Sequence, residues 1–142
     1  MTYKVAIIGS RNFSNKKLFN SVLLSIFTNE GIPHTIISGG AIGTDTLAKE
    51  WAMENNIEFV VFIPMHKDFP KKTRRWMAPK DRNTTIVENS DMIISFWDMK
   101  STGTKDTIEK ALKKNHRIYL FNLVEEIIIS NNDRIKELLS IL

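Results

Sequence analysis

"IISGGAIGTDTLAKEWA", residues 36–52, decides the fold. Ile36 and Ile37 lead into Gly39, Gly40 and Gly43, after which Leu47, Ala48, Trp51 and Ala52 recur at helical spacing. A strand here turns through glycines straight into a helix. Glycines at that junction serve a tight turn, or they let a ligand reach the backbone.

The same alternation extends in both directions. Upstream, "YKVAIIG" (3–9) is a continuous apolar run ending in glycine, the pattern of a strand covered on both faces. Ser14 is a candidate N-cap for a helix carrying Leu18, Val22, Leu23, Ile26 and Phe27. Gly31 and Pro33 then break the chain before the strand "HTIIS" (34–38). Downstream of the helix at about 44–55, "IEFVVFIP" (57–64) predicts a third strand and "NTTIVENS" (83–90) a short helix. "DMIISFW" (91–97) predicts a fourth strand, Ile108, Ala111 and Leu112 a helix, "RIYLFNL" (117–123) a fifth strand, and "DRIKELLSIL" (133–142) a terminal helix. Neither a repeat nor a low-complexity segment interrupts the pattern.

Strands alternating with helices imply a three-layer, Rossmann-like α/β domain over residues 1–142. Its sheet should be mostly parallel and five-stranded, ordered 3-2-1-4-5. With 142 residues the chain is long enough for one sizeable core. It lacks cysteine, which excludes disulfides and thiolate chemistry and suits a reducing cytoplasm, the expected location. The longest apolar runs fall well short of the roughly 18 residues of a membrane span, and "MTYKVAIIG" has neither a basic n-region nor a cleavage site, so no signal peptide is expected. A formal charge of +4 suits a phosphorylated small molecule as well as a nucleic acid.

In parallel sheets of this kind, ligands lie beyond the carboxyl ends of the strands. Those ends are where the reactive residue types fall. Gly9-Ser10-Arg11 follows the first strand, Ser38 to Asp45 the second, and Asp98, Ser101, Thr102, Gly103 and Thr104 the fourth. Both the glycine cluster and "STGT" precede helices, whose first N–H groups and positive dipole end favour an anion. Arg11 can clamp charged oxygens in bidentate fashion. A P-loop is absent, as is G-x-G-x-x-G after the first strand, so neither an ordinary NTPase nor an ordinary NAD-binding unit is indicated.

"IIGSR", "SGGAIGTD", "WMAPKDRN", "NSDMIISFWD" and "STGTKDTIEKA" occur in that order. Together they resemble the SLOG superfamily, which includes the Rossmann-like domain of DNA-processing protein A, the Lonely-guy phosphoribohydrolases and small stand-alone bacterial and phage proteins. The stand-alone group is the nearest in pattern. The resemblance implies a nucleotide or nucleotide-derived ligand, such as an ADP-ribose derivative. Carried over residue by residue, its binding set is Gly9, Ser10, Arg11, Gly39, Gly40, Gly43, Thr44 and Asp45 from the first two strand ends. Arg82, Asn83, Ser101, Gly103, Thr104 and Thr107 complete it. Related domains often form dimers or larger assemblies, so a homo-oligomer is part of the expectation.

Lonely-guy enzymes resemble this chain less well at one point. Their P-G-G-x-G-T-x-x-E motif supplies a glutamate for N-glycosidic cleavage, and Thr107 occupies that position here. Glu109 lies two residues on, about 200° round the helix, and points elsewhere. The remaining catalytic candidates are Asp45 and Asp98. Asp45 reads equally as a first-turn acid beside the helix dipole, or as a partner for a ribose hydroxyl or Arg11. Asp98 reads equally as a solvated loop acid.

The segment 66–83 is basic, with Lys67, Lys71, Lys72, Arg74, Arg75, Lys80 and Arg82. It reads as a lid over a phosphorylated ligand with Trp76 stacked on a base, as a nucleic-acid patch, or as a solvated loop. His34 and His116 precede strands and lie on the opposite rim, which leaves only His66 on the site side and gives no metal-binding spacing. Trp51 fits the core stripe, and Trp97 reads as core or pocket wall. No metal and no cofactor are expected. Binding of a small molecule therefore ranks first, a nucleotide N-glycosidase second, and DNA binding third.

Overall fold

The computed structural model describes residues 2–63 and 79–142. The predicted lid residues 66–78, with His66 and Trp76, lie outside them. The elements are β1 (Lys4–Gly9), α1 (Lys16–Glu30), β2 (Thr35–Ser38), α2 (Thr44–Glu54), β3 (Glu58–Val61), α3 (Pro79–Glu88), β4 (Met92–Trp97), α4 (Thr102–Lys113), β5 (Arg117–Asn122), β6 (Ile127–Ile129) and α5 (Asn132–Ser140).

The strands form one sheet in the order β3-β2-β1-β4-β5-β6. Every neighbouring pair is parallel except β5–β6. β1 is central, with Val5 in register with both Ile36 and Met92. The apolar runs become central strands because both faces are covered. Val5, Ile7, Ile36, Ile94 and Phe96 pack with Phe19, Leu23 and Ile26 of α1 and Leu47 and Ala48 of α2. Ala6, Ile8, Ile37, Ile93 and Trp97 pack with Ile86 of α3, Ile108 and Ala111 of α4, and Ile135 of α5.

The sheet has six strands, one more than the alternation predicted. Asn122 ends β5, and its side chain accepts the Val124 and Glu125 N–H groups at 2.9 and 3.1 Å. Glu126 adopts φ 56°, which reverses the chain. Ile127–Ile129 then return antiparallel to Leu120–Asn122. Three identical residues carry no alternation, so the strand leaves no periodic mark. Helix starts also shift. Asn15, not Ser14, caps α1, its side chain accepting the Leu18 N–H at 3.1 Å. The short helix α3 begins at Pro79, earlier than its apolar positions indicate. Among the described residues no helix is long and apolar enough to cross a membrane.

Candidate ligand-binding site

The strand order reverses direction at β1: β2 and β3 lie on one side, β4 and β5 on the other. The loops after β1 and β4 therefore diverge and leave a crevice. A cavity of about 470 Å³ occupies it. Gly9, Arg11 and Asn12 line it from β1, Gly39, Ala41 and Asp45 from the β2–α2 junction, and Arg82, Asn83 and Ile86 from α3. Asp98, Ser101, Thr102, Gly103, Thr104 and Thr107 form the α4 wall, and Ile8 contributes from the sheet. Asn12, Ala41, Thr102, Ile8 and Ile86 line the cavity without being singled out from sequence as ligand contacts. The two isoleucines carry only a core pattern, and nothing in the sequence tells a core isoleucine from one at a cavity floor.

Ser10, Gly40, Gly43 and Thr44, all predicted to contact a ligand, are not in the lining. Ser10 is buried, and its roles are internal. Its carbonyl accepts the Thr44 N–H at 3.2 Å and the Thr44 hydroxyl at 2.9 Å, while its own hydroxyl accepts the Asp98 N–H at 3.1 Å. One residue thus pins the α2 start and the end of β4 to β1.

The glycines divide by what surrounds them. A Cβ at Gly9 would collide with the Phe96 carbonyl, and one at Gly39 with the Arg82 guanidinium. Gly40 has φ +72°, and a Cβ there would lie 2.8 Å from Val61 Cγ1. Gly43 has φ +77°, and its Cβ would strike the Arg11 carbonyl. Gly9, Gly40 and Gly43 are required by the protein itself, whereas at Gly39 the obstacle is the end of the Arg82 side chain. A valine at Gly40 would therefore disturb the chain itself. Gly103 differs, because a Cβ there would meet nothing within 4 Å. It lies in the first turn of α4, where glycine costs up to about 1 kcal/mol relative to alanine, and it faces the cavity.

The carboxylates at the rim are occupied. Asp98 accepts the Ser101 N–H at 2.7 Å and the Lys100 N–H at 2.9 Å, so it shapes the loop that starts α4. Burial alone would raise its pKa, but those N–H groups and the Ser10 hydroxyl outweigh burial and hold it below the ordinary carboxylate value. Asp45 accepts the Ala41 N–H at 2.9 Å and closes the glycine loop. Its burial pushes its pKa up, against the pull of that hydrogen bond and of Arg82 and Arg11. No hydrogen bond or ion pair joins Asp45 to Arg11 among the described residues. Thr107, where the phosphoribohydrolase pattern has glutamate, is buried and donates to the Gly103 carbonyl at 3.1 Å.

Positive charge is less satisfied. Among the described residues neither Arg11 nor Arg82 is in an ion pair. Arg11 is exposed at the rim. Arg82 is half-buried, and that burial lowers its pKa; Asp45 opposes the shift and Arg11 adds to it. Arg82 Nη1 donates to the Gly39 carbonyl at 2.7 Å, and Nε to the Asn83 side chain at 3.0 Å. Trp97 is buried, with its indole N–H on the Ser101 carbonyl at 3.0 Å. It belongs to the core. Among the described residues no group of His, Asp and Glu side chains could hold a metal ion.

Residues 1–88, from β1 to the end of α3, match the family model of DNA recombination-mediator protein A. The chain belongs to that family. This bears out the resemblance to the SLOG superfamily and the Rossmann-like architecture. Among solved structures, the chain is similar to DNA processing protein A from Streptococcus pneumoniae. It is 25% identical, with TM-score 0.64, over 84% of this chain and 50% of that one. The present chain therefore spans about half of its length. DNA processing protein A from Helicobacter pylori, described for its single-stranded DNA binding mode, has TM-score 0.64 and 24% identity over 97% of this chain and 72% of that one. The molybdenum cofactor binding protein from Rippkaea orientalis has TM-score 0.64 and 18% identity over 99% of this chain and 96% of that one. At the identities of the last two, the likeness is one of fold alone. No curated protein matches the sequence.

Proposed function

We propose that this domain binds a nucleotide-derived, phosphorylated small molecule in the cavity at the β1–β4 crevice and does not turn it over. The observation that carries this reading is Gly103. Packing within the protein does not call for glycine there, and the residue opens the first turn of α4 to the cavity. A phosphate can then approach the unpaired N–H groups at that helix start. Arg11, without an ion-pair partner among the described residues, supplies a charge-assisted contact across the crevice. The hydroxyls of Ser101 and Thr102 offer further donors.

Glycosidic hydrolysis needs a positioned acid or base. Asp98 and Asp45 already accept backbone N–H groups, and Thr107 cannot titrate in the useful range. These engagements support binding over catalysis.

A second reading, single-stranded nucleic acid, is favoured by family membership and by the described DNA-binding mode of the Helicobacter pylori relative. The two separate in one experiment. Calorimetric titration with AMP, ADP, ADP-ribose and NAD is compared with an oligothymidylate at 50 and 200 mM salt. The small-molecule reading expects saturable one-site binding that weakens in Arg11→Ala. Oligonucleotide affinity that persists at 200 mM salt, with none of the four small molecules bound, would replace it.

A further inference from the structure

We infer that Arg82 and Asn83 form an internal relay that sets the two glycine loops of the site in place, acting as positioning residues rather than as ligand contacts. The functional weight of the relay rests on the reading of the cavity as a ligand site; its physical basis does not.

The two residues sit in the first turns of α3, between the β2–α2 loop and the start of α4. Asn83 is 5% exposed, and both ends of its amide are engaged. Its Oδ1 accepts Arg82 Nε at 3.0 Å. Its Nδ2 donates to Asp106 Oδ2 at 3.1 Å and, more weakly, to the Gly103 carbonyl at 3.4 Å. Arg82 continues the chain of bonds to the Gly39 carbonyl at 2.7 Å. The path therefore runs from Gly39 through Arg82 and Asn83 to Gly103 and Asp106. Lys110 anchors the far end, reaching Asp106 and the Lys80 carbonyl, each at 2.7 Å.

Geometry gives the relay its effect. The peptide unit is planar and trans, so holding the Gly39 carbonyl fixes the direction of the Gly40 N–H, which lies in the same plane and points the opposite way. Gly40 has φ +72° and is free of regular structure, so little else orients that unit. The bonds between Gly39 and Asp106 are part-buried, and a break at one end leaves polar groups short of a partner at the other. A disturbance at Asp106 should therefore reach the β2–α2 loop, although Asp106 does not touch it.

Amide hydrogen exchange by NMR on the ligand-free protein tests this. The reporters are the N–H groups of Ala41 and Thr44, bonded to Asp45 and to the Ser10 carbonyl. Asp106→Ala and Asn83→Leu should each raise exchange at both reporters, by about ten-fold for the loss of one or two part-buried hydrogen bonds. Asp106→Asn, whose side-chain oxygen still accepts from Asn83, should restore most of the protection. Should Asn83→Leu fail to fold, the Asp106 pair decides alone. Unchanged exchange at Ala41 and Thr44 in folded Asp106→Ala, with effects confined to α3 and α4, overturns the relay. Because no ligand is present, a failed titration and a failed relay are separate results.

Discussion

The Asp98 carboxylate holds the N–H of Ser101 at 2.7 Å, and so fixes the residue on which α4 begins. Asp98→Ala removes the acceptor for two N–H groups and should destabilise the domain by about 0.5–2 kcal/mol, the size of a lost helix cap. Denaturant unfolding measures this. The pKa of Asp98 is depressed in the folded state, so its contribution is present above the unfolded value, near 4. It is lost as pH falls through the lower folded value. The gap between wild type and variant should therefore close only in acid, below about pH 4.

Asp45 should show the opposite sign. Its folded pKa is raised, chiefly by burial, so the folded state holds the proton more tightly than the unfolded one. Stability then falls as pH rises from the unfolded value through the folded one. Asp45→Asn keeps an oxygen for the Ala41 N–H and removes the buried charge. Thermal melts should find the variant at least as stable as wild type at pH 7, with any gain gone below about pH 4.

Gly43→Ala and Gly103→Ala should part company. The first forces a Cβ onto the Arg11 carbonyl at φ +77° and should cost more than about 1 kcal/mol. The second places a methyl group in open space within a helix and should be neutral or stabilising by up to about 1 kcal/mol. Its cost should appear in ligand affinity. A Gly103→Ala protein that melts lower than wild type would contradict the open geometry.

Arg11→Ala should leave stability within about 0.5 kcal/mol, because the side chain is exposed and out of any ion pair among the described residues. Its effect on an anionic ligand should be about 1.5–3 kcal/mol, or ten-fold and more in Kd. Calorimetry and a melting curve on the same preparation check both halves.

How far the site can be read from sequence depends on whether the interaction is local. The β–α–β alternation marks the central strands because Val5, Ile36 and Ile94 are apolar for a reason any parallel sheet imposes. Gathering Arg11, Gly39, Asp98 and Gly103 on one rim follows from strand direction alone. What stayed hidden is pairing across the chain. Nothing in Asn83 or Asp106 announces a bond spanning 23 positions. Ser10 looks like a ligand hydroxyl, yet it is an internal tie. Ile127–Ile129 lack alternation, so their pairing depends on the Asn122 turn rather than on their own pattern.

The uneven surroundings of the glycines bear on how this family diverges. Gly9, Gly40 and Gly43 answer to the backbone around them, so a descendant that had given up its ligand would still be held to them by the need to fold. A side chain at position 103 would meet nothing in the polypeptide, so that position would be free to drift in a chain that uses the cavity for no ligand. Retention of the first three across relatives would therefore record only common architecture. Among these four glycines, position 103 is the one that would record whether selection acts on the cavity.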